Sequence, residues 1–169
     1  MKTSTNIGSS IVKAPLLRAR LVVLTSAVLL LVISSQGTGF AGSATWKTSP
    51  NSGNWNRAGN WTPQTIPNGP SDAATFAMCS IISVFLSANT AVDGIVFDTG
   101  GDSFTFTVAP PSNSGLLALE FDGFGVTNNS GSPQNFVTAA NGTIVFKGQA
   151  TADNASFTNE QRHGLHHHQ

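Results

Sequence analysis

Helix-breaking residues are spread over almost the whole chain, and they limit the possible fold more than any other feature. After Ala44 the remaining 125 residues contain 13 glycines and 7 prolines, together with 13 asparagines. No stretch beyond Ile33 keeps apolar residues at helical spacing without an intervening glycine or proline. We therefore expect no amphipathic helix longer than two turns, and the sequence predicts an all-β protein.

Short β-branched and aromatic runs recur in this region, each bounded by turn residues. They read ATF, SVFL, GIVF, SFTFTV, LLALEF, QNFV, TIVF and ASFT. Alternation is clearest at residues 103–108, where Phe104, Phe106 and Val108 are predicted to face the core and the hydroxyl residues between them to face solvent. Strands of this length and spacing are typical of a β-solenoid or a β-sandwich.

Four phenylalanines recur at nearly constant spacing, which favours the solenoid. Phe76, Phe97, Phe121 and Phe146 are separated by 21, 24 and 25 residues, about the length of one solenoid coil. We expect these rings to stack in one interior column and the turn asparagines to hydrogen-bond from coil to coil. The predicted fold is a parallel β-solenoid, with a β-sandwich as the alternative.

The first 41 residues have the composition of an export signal. Four of the eight basic residues lie within the first twenty positions, and no acidic residue precedes Asp72. The uncharged apolar run at residues 21–33 has the length of a signal-peptide core rather than of a membrane span. Small residues then allow cleavage after Ala41, which we favour, or after Ala44. The alternative is an uncleaved anchor that holds the protein in the membrane through residues 21–33.

These observations divide the chain into three parts. Residues 1–41 are predicted to be a signal peptide with a hydrophobic helix, residues 42–159 a β-solenoid domain with a tryptophan-containing N-terminal cap, and residues 160–169 a disordered polar tail. Charged residues make up only 9% of the chain, and the formal net charge is zero. Because there is no basic surplus, we expect no nucleic-acid partner. The predicted location is the cell surface or the medium.

Part of the sequence resembles a known family of bacterial secreted proteins. The resemblance lies in GNWN (53–56) with GNW (59–61), IPNGPSDAATF (66–76), VDGIVF (92–97), GVTNNSG (125–131) and QNFV (134–137). As an ordered set these segments resemble the start of proteins with autotransporter-associated β-strand repeats, over about residues 45–159.

The resemblance implies a right-handed parallel β-helix passenger at the cell surface, and it brings no catalytic residues to this chain. Proteins of that family typically contain many more repeats, so we interpret the chain as a module or a truncated fragment of a larger repeat protein. The expected function is a structural or adhesive scaffold, with cell-surface polysaccharide or other surface proteins as partners. A solenoid without a cap exposes a sheet edge, so self-association is also expected.

Three tryptophans near the start of the predicted domain are candidate ligand-binding residues. Trp46, Trp55 and Trp61 could stack on sugar rings, as in a carbohydrate-binding module. The interpretation that we favour is an N-terminal cap, in which the indoles cover the first coil and keep their polar edges in water.

Two pairs of acidic residues are the remaining candidates. Glu120 and Asp122 fall on one face of a predicted strand, with Phe121 pointing inward, and could act as acid and base in a small β-helix glycoside hydrolase or lyase. Asp98 and Asp102 flank a glycine-rich turn that could hold Ca²⁺, but it offers too few oxygen ligands, and a plain turn is favoured. We expect no enzymatic activity, no metal and no cofactor.

The single cysteine and the histidines complete the set of reactive side chains. Cys79 has no disulfide partner in the chain and is expected to be a buried, inert thiol. No histidine lies between Cys79 and His163, and all four histidines fall in the last seven residues. The sequence therefore predicts no cysteine–histidine catalytic pair.

Overall fold

The computed structural model describes residues 42–111 and 115–160. The predicted signal segment 1–41 and residues 161–169 of the predicted tail 160–169 lie outside these residues, whereas Glu160 is the last residue of a strand. The described chain contains ten strands and one 3₁₀ turn at Ala58–Asn60, so the predicted all-β class is confirmed. The strands are β1 (Ala44–Trp46), β2 (Trp61–Thr62), β3 (Gly69–Phe76), β4 (Ser83–Phe85), β5 (Thr90–Phe97), β6 (Thr105–Val108), β7 (Leu117–Asn128), β8 (Asn135–Ala139), β9 (Gly142–Phe146) and β10 (Ser156–Glu160).

From β3 onward, successive strands alternate between two sheets. The first sheet has the order β2-β1-β3-β5-β7-β9, and the second has the order β4-β6-β8-β10. Each strand from β3 to β8 pairs in parallel with the strand two places further along the chain. The antiparallel pair is β1 with β2, at one end of the first sheet.

The pairing register gives the length of each turn around the two sheets. Phe76 lies beside Phe97, 21 residues later, and Gly94 lies beside Gly125, 31 residues later. The other parallel ladders have offsets between these two values. Because sequence-distant strands are neighbours, a single turn cannot bury its own apolar face and depends on the turns beside it.

The core lies between the two sheets and is mostly aromatic. Phe76 of the first sheet contacts Phe106 of the second with 5.1 Å between ring centroids, and Phe121 contacts Phe136 at 6.3 Å. All four rings are fully buried. The alternation predicted at residues 103–108 is confirmed, since Phe104, Phe106 and Val108 are buried and the threonines between them are half-buried.

The predicted column of four phenylalanines is wrong. Phe76 does pair with Phe97, and Phe121 does pair with Phe146, but Phe97 lies beside Asn128, while Phe121 lies beside Val92. The four rings therefore form two separate columns of two. A continuous aromatic column exists in the second sheet instead. There Phe106, Phe136 and Phe157 stack at centroid distances of 4.9 and 5.1 Å.

The columns separate because β7 contains more residues than β5 where the two strands bend. Val92 and Gly94 are two residues apart, whereas their partners Phe121 and Gly125 are four residues apart. The bend is tight enough to require glycine at both of the positions where the strands resume pairing. A Cβ atom on Gly94 would lie 2.2 Å from the Phe124 ring, and Gly125 has a φ of +85° and would clash with the Thr151 backbone.

Asparagine side chains connect neighbouring turns, although mostly not as the predicted amide-to-amide ladder. Asn68 Oδ1 accepts a hydrogen bond from the Ala91 backbone N–H, and Asn89 Oδ1 accepts one from Ala118, both at 3.0 Å. One amide-to-amide bond is present, from Asn128 Nδ2 to Asn154 Oδ1 at 2.9 Å. Asn68 and Asn89 thus satisfy backbone donors near the start of β5 and β7.

Candidate functional site

Glu120, Asp122 and Lys147 form a charged cluster on the outer face of the first sheet. Glu120 and Asp122 lie two residues apart on β7, with the fully buried Phe121 between them. Lys147 follows directly after β9, and its backbone N–H donates to the Phe121 carbonyl at 2.9 Å. Its Nζ lies 2.6 Å from Glu120 Oε2 and 3.1 Å from Asp122 Oδ1. This group is called the Lys147 cluster below.

The Lys147 cluster is solvated, and its electrostatics are correspondingly mild. The Lys147 side chain is 46% exposed, and the Glu120 and Asp122 side chains are 35% and 20% exposed. Hydrogen bonds to Glu120 and then to Asp122 raise the pKa of Lys147 above its ordinary value. Ion pairs in water contribute little to stability, so the cluster acts mainly as a local link between β7 and the end of β9.

A shallow groove of about 320 Å³ borders the Lys147 cluster on the Glu120 side. It is lined by Asn68, Asn89, Thr90, Ala91, Ala118 and Glu120. Both asparagine carbonyl oxygens that line it are already engaged with backbone N–H groups. Asp122 does not line the groove, so the two carboxylates do not flank one common substrate space.

This arrangement gives little support to the acid–base pair considered for Glu120 and Asp122. A glycosidase needs its two carboxyl groups on opposite sides of a bound sugar. Here the structure places both carboxylates on the outer face, as the alternation predicts, but Lys147 Nζ lies within 3.1 Å of both of them. Both carboxylates are therefore already engaged by the same ammonium group.

The three tryptophans are buried at the N-terminal end of the two sheets. Trp46 is 2% exposed, and Trp55 and Trp61 are fully buried. Trp61 lies between the other two, with centroid distances of 4.9 Å to each, and it also contacts Phe76 at 5.5 Å. No ring face of Trp46, Trp55 or Trp61 is available to a sugar, which corrects the expectation of a carbohydrate-binding surface made by these residues.

The favoured cap is also corrected in one respect, because the polar edges of the indoles are not in water. Trp55 Nε1 donates to the Pro67 carbonyl at 3.0 Å, and Trp61 Nε1 donates to the Trp55 carbonyl at 2.7 Å. The Trp46 Nε1 atom is buried without a hydrogen-bond partner. The cap is therefore the N-terminal end of the buried core rather than a lid that faces solvent.

Backbone hydrogen bonds hold the turn between Asp98 and Asp102. Asp102 Oδ2 accepts a hydrogen bond from the Cys79 backbone N–H at 2.7 Å, which ties it to the preceding turn. The Asp98 carbonyl accepts from Gly101 N–H at 2.9 Å and closes a turn in which Gly100 has a φ of +75°. Within residues 42–111 and 115–160, no group of three or more His, Cys, Asp or Glu side chains could hold a metal ion.

Cys79 is half-buried and packs against the edge of the core. Its Sγ donates to the Lys47 and Ile81 carbonyls, at 3.3 and 3.1 Å, and accepts from Ile81 N–H at 3.3 Å. All the histidines lie outside the described residues. The Cys79 thiol is therefore held by backbone hydrogen bonds, although it is less deeply buried than expected.

Sequence reasoning missed Lys147 as the partner of the two acidic residues. The spacing of Phe121 and Phe146 could have indicated this partner, because the two residues are 25 positions apart and pair directly. Asp122 and Lys147 are separated by the same 25 positions and are therefore expected to lie side by side. Two buried amides were also missed. Asn60 and Gln134 are fully buried, and no sequence pattern distinguishes them from the many exposed amides.

No known protein family, curated protein or solved structure matches this chain. The resemblance to proteins with autotransporter-associated β-strand repeats therefore stays a prediction. In the part of the chain that the structure describes, none of the helical segments is long and apolar enough to cross a membrane. The possible anchor at residues 21–33 and the cleavage position Ala41 lie outside that part.

Proposed function

We propose that the chain is an exported, non-enzymatic β-solenoid module that serves as a structural or adhesive scaffold at a bacterial surface. The observation that carries the proposal is the pairing pattern, in which strands alternate between two sheets and pair in parallel with the strand of the next turn. Parallel crossovers of this kind are almost always right-handed. The pattern disfavours the β-sandwich alternative, whose strands pair antiparallel through hairpins and Greek keys.

The described N-terminal contacts support signal cleavage after Ala41 rather than after Ala44. Ser43 Oγ accepts a hydrogen bond from the Ala73 backbone N–H at 2.8 Å, and Ala44 is buried and pairs with Ala74. Cleavage after Ala44 would remove both residues from the first sheet. Cleavage after Ala41 would leave β1 intact and give a mature chain of four basic and eight acidic residues.

A scaffold role agrees with the chemistry of the described side chains. The two carboxylates that could have served a hydrolase contact Lys147, and the indoles that could have bound sugar fill the cap. The wet faces carry asparagine, serine and threonine, which offer hydrogen bonds without strong charge. We propose cell-surface polysaccharide or another surface protein as the partner of these faces.

Export is tested by expressing the whole gene in a bacterial host and sequencing the N-terminus of the protein in each cell fraction. We expect a chain that begins at Gly42 outside the cytoplasm. Leu30→Arg places a charge in the apolar run and should retain the precursor inside, whereas the matched control Leu17→Arg adds a charge to the already basic segment and should not. Unprocessed wild-type protein in the cytoplasm would refute export, and uncleaved protein in the membrane fraction would favour the anchor.

A further inference from the structure

The chain contains two Asn-Gly pairs, Asn68-Gly69 and Asn141-Gly142. This dipeptide is chemically labile in proteins, because the backbone nitrogen of the second residue can attack the side-chain carbonyl carbon of the asparagine. Glycine favours the attack, since it has no Cβ atom to block the approach and its backbone rotates easily. The two pairs therefore have a similar reactivity in an unfolded chain, and the fold decides any difference between them.

The fold restrains the side chain of Asn68. Its Oδ1 atom accepts a hydrogen bond from the Ala91 backbone N–H at 3.0 Å. Its own backbone N–H donates to Asp72 Oδ2 at 3.1 Å, and Asp72 is buried. Gly69 pairs with Val92 in the first sheet. The Asn68 amide must leave Ala91 before it can turn onto the Gly69 nitrogen, so the attack requires a local opening of the sheet.

The side chain of Asn141 has no comparable restraint. Asn141 is exposed and lies in the two-residue connection between β8 and β9. Its backbone carbonyl accepts a hydrogen bond from Leu117 N–H at 3.2 Å. Among residues 42–111 and 115–160, no hydrogen bond holds its side-chain amide. The Asn141 side chain can therefore rotate onto the Gly142 nitrogen without breaking a contact of its own.

The connection itself is held by the strands on either side rather than by its own preference. Ala140 has a φ of +53°, a left-handed conformation that alanine rarely adopts. β8 and β9 belong to different sheets, so no ladder of hydrogen bonds between these two strands closes the turn. Exposed connections of this kind open locally more easily than paired strands do.

We propose that Asn141-Gly142 is a self-modification site, at which the folded chain deamidates with water as the co-reactant, while Asn68-Gly69 is protected. The Gly142 nitrogen bonds to Asn141 Cγ, the Cγ–Nδ2 bond breaks, and the amide group leaves as ammonia with the proton of the Gly142 nitrogen. The product is a succinimide ring. Water then opens the ring at Cγ to give aspartate, or at the main-chain carbonyl carbon of residue 141 to give isoaspartate. No oxidant or reductant is needed.

The modification changes the start of β9. Both products add a carboxylate to the exposed connection, and isoaspartate also adds a backbone atom directly before Gly142. Gly142 pairs with Leu117, and a Cβ atom on Gly142 would lie 1.8 Å from the Val108 carbonyl oxygen. This end of the strand has no space for a longer backbone, so we expect isoaspartate to break the first pairs between β9 and β7.

Peptide mapping of the 169-residue chain measures both sites in one sample. The folded protein is incubated at mildly alkaline pH, with a non-ionic detergent because of the apolar run at residues 21–33. Trypsin and a protease that cuts before aspartate then place Asn68 in residues 58–71 and Asn141 in residues 122–147. Tandem mass spectrometry gives the deamidated fraction of each fragment. A second sample is incubated in guanidinium chloride, where the fold no longer separates the two sites.

We expect Asn141 to deamidate at least about tenfold faster than Asn68 in the folded chain, and the two to react at similar rates in guanidinium chloride. Equal rates in the folded chain, a faster Asn68, or no reaction at Asn141 would each overturn the proposal. So would a difference that persists in guanidinium chloride, because the fold would then not be its cause.

Isoelectric focusing of two matched variants provides an independent measurement. Asn141→Gln should abolish the main acidic form that grows during incubation, because a glutamine side chain closes a larger ring and does so more slowly. Asn68→Gln is the control and should keep that form. An acidic form that grows equally in Asn141→Gln would overturn the proposal. The mapping of the wild-type chain depends on neither variant.

Discussion

The two ends of the paired sheets differ in how completely their apolar side chains are covered. At the N-terminal end Trp46, Trp55 and Trp61 fill the space over Phe76, and short segments cover the strand edges. At the other end of the described residues Phe157 is partly exposed, and within that part of the chain β9 and β10 each pair with a strand on one side only. A stack of turns needs a cap because its last turn has no neighbour. In the described residues, this chain supplies one cap and leaves the other end open.

Removal of an aromatic ring from each end should give the largest contrast. Trp61→Ala should lower the free energy of unfolding by about 3–5 kcal/mol, because it leaves a cavity in a closed cluster. Phe157→Ala, the matched change at the open end, should cost about 1 kcal/mol, since much of that ring is already in water. Urea unfolding measures both. Equal losses would mean that the two ends are packed alike.

Removal of a side-chain amide from each end should change the free energy of unfolding in the same order, but by less than removal of an aromatic ring. Asn60 accepts from Asn51 N–H and donates to Ser52 Oγ and the Asn54 carbonyl, at 2.8–3.1 Å. Asn60→Ala should cost about 1–3 kcal/mol, because it leaves these groups unsatisfied. Asn159→Ala, in the exposed β10, should change stability by less than about 0.5 kcal/mol. Thermal unfolding of the two variants compares them, and a neutral Asn60→Ala would contradict the hydrogen-bonded cap.

The Lys147 cluster lies near the open end and should give the smallest effect. Because the folded pKa of Lys147 is raised, its contribution is complete below the unfolded value of about 10.4 and is lost as the pH rises through the folded value. Lys147→Met should therefore lower the melting temperature slightly at pH 7 to 9, and the difference from wild type should disappear at higher pH. A difference that persists there would show that lost packing, and not lost charge, is responsible.

The direction of a side chain could be predicted from the sequence where it depends on one strand alone. The inward positions of Phe104, Phe106 and Val108 follow from alternation, and so does the placement of Glu120 and Asp122 beside an inward Phe121. The sequence did not predict which residues of neighbouring strands lie side by side, because that depends on the pairing register. The four-phenylalanine column failed because the extra residues at the β7 bend shift Phe121 away from Phe97.

The full burial of the tryptophans could not be predicted either, because it depends on residues outside the local sequence. The GNWN and GNW segments are rich in polar residues and look like exposed loops. The indoles are enclosed by one another and by residues that are not their sequence neighbours, as in the hydrogen bond from Trp55 Nε1 to the Pro67 carbonyl. A residue's distance from solvent is set by everything packed around it, and a single sequence does not contain that information in local form.

The sequence by itself determined the all-β class, since glycine, proline and asparagine interrupt every possible helix and period-two alternation needs no partner to be recognised. The tertiary structure decided which strands lie side by side, that Lys147 joins Glu120 to Asp122, and that the three tryptophans fill the N-terminal end of the core. The physical reason is range. Backbone preferences act between adjacent residues, whereas register comes from contacts between residues that are 21 to 31 positions apart. The N-terminal cap likewise comes from tertiary contacts, such as that of Trp61 with Phe76.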